Sequence, residues 1–268
     1  MPRRHLLATP ALLIMGVYVV ALVVAAVIAL TTGNLGVLWW LTVFTERDKN
    51  VVVTWPNVLV LVLAGLPWAW ALWQSLRGPL AGPSPELDQG TRRLRVALYA
   101  AATSWLLGSV LPYWPWWAVV LDAAVMWLVV TLFASVLGPN LEFAEHARGA
   151  GVLAYGGFGA IEVLNVLEWP VPDWLELICG VAFLIWTVLL LRAQRRDRRW
   201  QRDTVWYGIA ALVSPFVVGL GGTLLTSETN IYDDAMAAVG VLMLVWLTRS
   251  AHDLANPRPQ PGPLSPAV

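Results

Sequence analysis

The chain has 268 residues, of which 58% are hydrophobic and 13% are charged, and its mean hydropathy is +0.66. A soluble domain carries roughly 25% charged residues, so this composition excludes an ordinary soluble globular protein. The formal net charge is +0, which gives no reason to expect a nucleic-acid partner. The composition therefore indicates a protein that lies mostly in a membrane.

Eight apolar segments have about the length needed to cross a bilayer, which is roughly 20 residues. In chain order they cover approximately residues 10–30, 56–76, 94–111, 116–137, 151–167, 174–191, 204–225 and 235–248. The first run is longer than the roughly 7–15 apolar residues of a signal peptide, so we expect it to be retained as a span. The sequence predicts an all-α integral membrane protein with one transmembrane domain, 1–255. The proline-rich tail, 256–268, is expected to be disordered in the cytoplasm.

Basic residues are distributed unequally between the two sides of these spans. Of the 17 basic residues, 15 lie at the ends of the chain or in alternate loops, and only Arg47 and Lys49 lie in the other loops. Because basic residues resist translocation, the rich side is predicted to be cytoplasmic. Both termini are then cytoplasmic, and we expect a multi-pass protein of the plasma membrane.

The longest segment on the predicted outer side joins the first two spans. Residues 37–44 and 51–55 are rich in β-branched and aromatic side chains, and they flank a polar turn. This pattern predicts either a small β-hairpin over the outer mouth of the bundle or an interfacial helix over the first half of the segment.

Two acidic residues, Asp122 and Glu162, lie well inside predicted spans. Asp122 is seven residues after Pro115, and Glu162 is seven residues before Trp169. At about 1.5 Å per residue, both lie roughly 10 Å from the outer boundary. Their spans are consecutive and are expected to be neighbours. Acids inside a bilayer are costly unless they reach water or a partner, so these two are the candidate catalytic, substrate-binding or ion-binding residues.

Helical spacing predicts further side chains at the same site. Tyr155 and Asn165 share a face with Glu162, and Trp117 and Trp127 lie on the preceding span with Asp122. The resulting prediction is an outward-facing, acidic, tryptophan-rich cavity that binds or translocates a small cationic or proton-coupled solute.

No cofactor or metal site is expected from the sequence. The single cysteine, Cys179, lies in an apolar run, which excludes an intrachain disulfide and a cysteine metal site. His5, His146 and His252 all fall outside the predicted spans, which argues against haem ligation within the bundle. Nucleotide-binding, zinc-protease and serine-hydrolase motifs are also missing from the sequence.

Two other functions compete with solute binding. An intramembrane enzyme could start carbocation chemistry on an isoprenoid-like substrate with one of the two acids, while Trp105, Trp117 and Trp127 stabilise the cation. A non-catalytic accessory subunit could bind a partner helix through the glycine seam Gly151–Gly159. A purely structural alternative is that this seam packs within the chain.

The segment from Arg192 to Arg202 is the densest basic cluster. It is either an orientation signal or a site for anionic lipid headgroups. The candidate lipid contacts are Arg195, Arg196, Arg198 and Arg199.

Overall fold

The computed structural model describes residues 5–42, 53–79, 87–111, 114–138, 144–197, 199–225 and 229–255, without the side chains of 221–225 and 229–237. Within these ranges the chain forms nine helices and no strand. They are α1 (Ala8–Thr32), α2 (Gly36–Thr42), α3 (Trp55–Leu76), α4 (Gln89–Val110), α5 (Trp116–Leu137), α6 (Ala144–Val166), α7 (Asp173–Arg196), α8 (Arg202–Leu225) and α9 (Thr229–Ala255).

All helices except α2 are long, and each long helix matches one of the eight predicted spans to within a residue at the span's ends or extends beyond it. Within the residues that the structure describes, six of them, α1, α3, α5, α6, α7 and α8, are long and apolar enough to cross a membrane. Helix α4 begins with an arginine-rich turn. The fold is that of a helical multi-pass membrane protein. The number of eight spans and the orientation of the bundle remain predictions.

Several helices extend beyond the predicted spans at their polar ends. Helix α4 begins at Gln89 because Asp88 caps it: the Asp88 carboxylate accepts hydrogen bonds from Thr91 Oγ1 (2.5 Å) and from Thr91 N (3.0 Å). The hydrogen bond from the Thr91 side chain, and to a lesser extent the one from its backbone, hold the pKa of Asp88 below its ordinary value. Hydropathy locates the apolar part of a helix, whereas capping and backbone bonding decide where the helix ends.

The first part of the segment after α1 forms a helix, which is one of the two predicted structures; the other was a β-hairpin. Leu35, Leu38, Trp39 and Thr42 are all buried. Their spacing of i, i+3, i+4 and i+7 is that of one helix face, which packs into a small core with α1 and α3. The structure therefore has the predicted alternative, a helix, in place of the first hairpin strand. Residues 43–52 lie outside the described ranges.

Helix α9 is central to the bundle. It packs against α3, α4 and α8, and the pairs α4–α5, α5–α6, α6–α7 and α7–α8 also pack, so α4 to α9 form a closed ring. Helix α1 packs against α3 and α2 beside this ring. Many large apolar side chains of α1 are exposed, as expected for a helix that faces lipid.

Trp246 of α9 joins four helices in the centre of the ring. Its indole stacks on Phe133 of α5 and meets Trp186 of α7 edge-on, with ring centroids 6.5 Å apart in both pairs. Its Nε1 donates to Gln194 Oε1 at 3.2 Å. Gly208 of α8 leaves room for the indole, because a Cβ there would lie 2.7 Å from Trp246 Nε1.

The glycine seam Gly151–Gly159 of α6 is in contact with the chain's own helices. A Cβ at Gly151 would lie 2.6 Å from Trp186 Cδ1 on α7, and a Cβ at Gly156 would lie 2.6 Å from Trp127 Cζ2 on α5. Glycine thus allows α5 and α7 to approach α6 closely. A partner helix at this seam remains a prediction about the surface that α5 and α7 leave uncovered.

We predict that Gly151→Ala destabilises the protein, whereas Gly149→Ala on the same helix does not. The new methyl group of Gly151→Ala meets the rigid Trp186 and Val130 side chains, and such overpacking costs about 1–3 kcal/mol. No atom lies within 4 Å of a Cβ at Gly149, so alanine there gains only helix propensity, up to about 1 kcal/mol. Thermal unfolding of both variants in detergent measures the difference; equal melting temperatures would contradict this packing.

Candidate binding cavity

A cavity of about 530 Å³ lies between α4, α5 and α6 at one end of the bundle. This end contains the C-termini of α4 and α6 and the N-terminus of α5, and it is the predicted outer end. The cavity is lined by Ser104, Trp105, Gly108, Ser109, Leu111, Trp114, Val119, Asp122, Ala123, Tyr155, Phe158, Gly159 and Glu162.

Asp122 and Glu162 both line this cavity. Asp122 is half-buried and Glu162 is exposed. No lysine, arginine or histidine is among the described lining residues. Two carboxyl groups without a basic neighbour give the cavity a negative potential, which concentrates cations and disfavours anions.

The aromatic residues at the cavity differ in part from those expected. Tyr155 lines it, but Trp117, Trp127 and Asn165 are exposed and are not among its lining residues. Trp117 and Trp127 are each five residues from Asp122, which places them about 140° around α5 from it. Trp127 instead donates from Nε1 to the Val152 carbonyl at 3.1 Å.

Helix α4 supplies one wall of the cavity, whereas all the residues predicted from the sequence for the solute-binding site lie on α5 and α6. Ser104, Gly108 and Leu111 recur at i, i+4 and i+7, which is the signal that could have identified this face. Trp105 is fixed by a hydrogen bond from Nε1 to the Gly240 carbonyl of α9 at 3.2 Å. Trp114 packs over Gly108, where a Cβ would lie 3.3 Å from its ring. Both indoles therefore have defined positions at the cavity.

Tyr155 connects the cavity to the aromatic core. Its ring packs edge-on against Trp186 at 5.3 Å and against Phe183 at 6.0 Å between centroids. Its hydroxyl is buried and has no hydrogen-bond partner in the described part of the chain. Buried hydroxyls normally have a partner, and the described residues supply none for the Tyr155 hydroxyl.

A separate apolar groove of about 410 Å³ lies on the other side of the α5–α6 contact. Ala123 and Gly159 line both spaces, and a Cβ at Gly159 would lie 2.7 Å from Ala123 Cβ. This close contact separates the two spaces. The groove, which includes Trp127, has an almost entirely apolar lining and is suited to lipid chains rather than to a charged solute.

The basic cluster after α7 is partly used within the protein. Arg199 pairs with Asp197 at 2.6 Å, donates to the Val136 carbonyl at 2.8 Å, and lies over the Trp200 ring. These contacts hold its guanidinium against the bundle, whereas the sequence analysis predicted Arg199 as a contact for anionic lipid headgroups.

The other candidate lipid contacts differ in their placement. Arg195 and Arg196 are exposed at the end of α7, and Arg198 lies outside the described residues. The anionic-lipid site therefore stays a prediction, and it now depends on Arg195 and Arg196.

Comparison with protein-family models, with curated proteins and with solved structures finds no match to this chain. Within the described residues, no group of three or more histidine, cysteine, aspartate or glutamate side chains is placed to hold a metal ion. The side chains that line the cavity are therefore the evidence for what it can bind.

We predict that Glu162→Cys reacts with a membrane-impermeant maleimide added outside intact cells, whereas His146→Cys reacts only after permeabilisation. Both residues are exposed and lie near opposite ends of α6. Labelling is measured by a gel shift in a Cys179→Ala background, which removes the one native cysteine. Labelling of His146→Cys from outside would show that the predicted orientation is wrong.

Proposed function

We propose that this protein binds a small organic cation in an outward-facing cavity within the plasma membrane. The observation that supports this most directly is the composition of the cavity: two carboxyl groups, four aromatic rings and no basic side chain among the described lining residues. The four rings belong to Trp105, Trp114, Tyr155 and Phe158.

The lining favours an organic cation over a bare metal ion. Hard cations such as calcium take about 6–8 oxygen ligands, and this cavity offers two carboxyl groups and a few hydroxyls. Aromatic faces instead attract alkylated ammonium groups, with about 0.5–2 kcal/mol per contact. The volume of about 530 Å³ is also in the usual range for small-molecule sites.

The same lining supports solute binding better than acid-initiated enzyme chemistry. An acid that protonates an alkene must be held in a dry, apolar pocket. Here Glu162 is exposed, and Ser104 and Ser109 add polar groups to the wall. An intramembrane cyclase is therefore the less favoured function.

The inner end of the cavity is filled by the aromatic core. Tyr155 packs against Trp186, and Trp186 packs against Trp246. A solute in the cavity meets this core before it could reach the other end of the bundle. Binding is thus the primary proposal, and translocation would require the core to rearrange.

We predict that the double variant Asp122→Asn, Glu162→Gln loses binding of organic ammonium ions by at least about tenfold, which corresponds to about 1.4 kcal/mol. Both substitutions keep the shape of the side chain and remove its charge. Calorimetry with choline and tetraethylammonium on the purified protein measures the change.

The matched control is Asp173→Asn, Glu176→Gln. It removes two exposed acids from the same predicted side, at the start of α7, that do not line the cavity. If both double variants bind equally well, or if wild-type protein binds neither probe, the proposed function is wrong.

We also predict that Phe158→Leu weakens choline binding several-fold. Leucine keeps apolar contact but lacks the ring face that attracts the ammonium group. The control ligand is the uncharged isostere of choline, in which a tert-butyl group replaces the trimethylammonium group. Equal losses for both ligands would show that Phe158 contributes only apolar contact.

A further inference from the structure

A second polar pocket lies at the opposite, predicted cytoplasmic end of the bundle, where no sequence pattern predicts a site. It encloses about 10 Å³, which is room for about one water-sized particle. We call it the inner polar pocket, and its lining residues are His5, Gly78, Pro79, Gln201, Arg249, His252 and Asp253.

Three of these residues are buried although they are charged or polar. Arg249 and His252 are 5% exposed, and Asp253 is 2% exposed. They lie at i, i+3 and i+4, so they share the face of α9 that packs into the bundle. Burying such groups is unfavourable unless each one has a hydrogen-bond or charge partner.

The acid in this group is well supplied with donors. Asp253 Oδ2 accepts hydrogen bonds from Gln201 N at 2.9 Å and from Thr204 Oγ1 at 2.6 Å. These bonds stabilise the carboxylate within the protein.

The side chains of Arg249 and His252, unlike that of Asp253, lack some of their hydrogen-bond partners. Arg249 Nη2 donates to Gln201 Oε1 at 3.4 Å, which is a long contact. Arg249 Nε and His252 Nδ1 are both buried without a hydrogen-bond partner in the described ranges. Arg249 Nε always carries a hydrogen, and a buried donor without an acceptor is unfavourable. The pocket therefore lacks an acceptor for Arg249 Nε.

The surroundings add positive charge to the pocket. Burial and then the charges of Arg77 and Arg249 lower the pKa of His5 below its ordinary value, which indicates a positive potential at the rim. Among the described lining residues, Asp253 is the acid that offsets this charge. Arg77, which is not among these lining residues, also interacts with the carboxylates of Asp253 and Asp203.

A short N-terminal segment covers the pocket. Leu6 N donates to the Pro79 carbonyl at 3.0 Å, and Leu7 N donates to the Arg77 carbonyl at 3.1 Å. His5 Nδ1 lies 3.1 Å from the Gly78 carbonyl oxygen. With this cover in place, the pocket has room for a single atom but not for phosphate or a carboxylic acid.

We propose that the inner polar pocket binds a monatomic anion of the chloride type between Arg249 and His252. The ion accepts a hydrogen bond from Arg249 Nε–H and one from His252 Nδ1–H, in the tautomer protonated at that nitrogen. It supplies the acceptor that the buried Arg249 Nε–H lacks. This site is independent of the outer cavity and of the cation proposed to bind there.

The test is thermal unfolding of the purified full chain at constant ionic strength, with chloride or bromide replacing gluconate. An ion that binds only the folded state raises the melting temperature with its concentration. We expect chloride and bromide to raise it saturably, and phosphate, which is too large, to have no such effect. An equal response to chloride, gluconate and phosphate, which a resident water molecule would produce, would overturn the proposal.

Variants assign the effect to this pocket. Arg249→Lys keeps the charge but removes the Nε–H, so the chloride concentration that gives half of the maximal stabilisation should rise at least tenfold. The control is Arg148→Lys, which changes an exposed arginine at the same end and should leave this midpoint unchanged. If Arg249→Lys does not fold, His252→Phe, which keeps the ring and removes the donor, replaces it. An unchanged midpoint in the folded pocket variant would also overturn the proposal.

Discussion

The packing of Trp246 is the interaction on which the arrangement of the other helices depends. A single buried indole contacts Phe133 on α5, Trp186 on α7 and the Gly208 position on α8, and it donates to Gln194. Inside a bilayer, lipid chains are as apolar as the side chains, so helix association depends on close packing and on buried hydrogen bonds. Trp246 provides both, because its ring fills the centre of the bundle and its one polar atom has a partner.

This aromatic core also separates two polar regions of opposite character. Toward one end, Tyr155 joins the core to a cavity with the acids Asp122 and Glu162. Toward the other end, α9 continues from Trp246 to the buried Arg249 and His252. The acidic region is suited to cations and the basic region to anions.

Small residues decide where the bundle is tight and where it is open. Gly151 and Gly156 let α7 and α5 approach α6 closely. Near the end of the same helix, a cavity lies between α4, α5 and α6. The seam that suggested a partner helix from sequence thus positions Tyr155 and Glu162 within this chain. The close contacts of Gly151, Gly156, Gly157 and Gly159 within the chain account for glycine at these positions.

The sequence by itself determined the membrane class, the place of each long helix and the presence of an acid in each of two consecutive helices, because hydropathy and helical rise are local properties. It also identified the charge asymmetry on which the predicted orientation rests. Tertiary structure decided which side chains meet. Trp117 and Trp127 were expected beside Asp122 but point elsewhere, since their rotation around α5 matters more than their nearness in sequence. Arg249, His252 and Asp253 read as ordinary polar residues after a span, and only the packing of α9 against its neighbours shows that they are buried. Burial depends on contacts between distant segments, and no local pattern in one chain specifies those contacts.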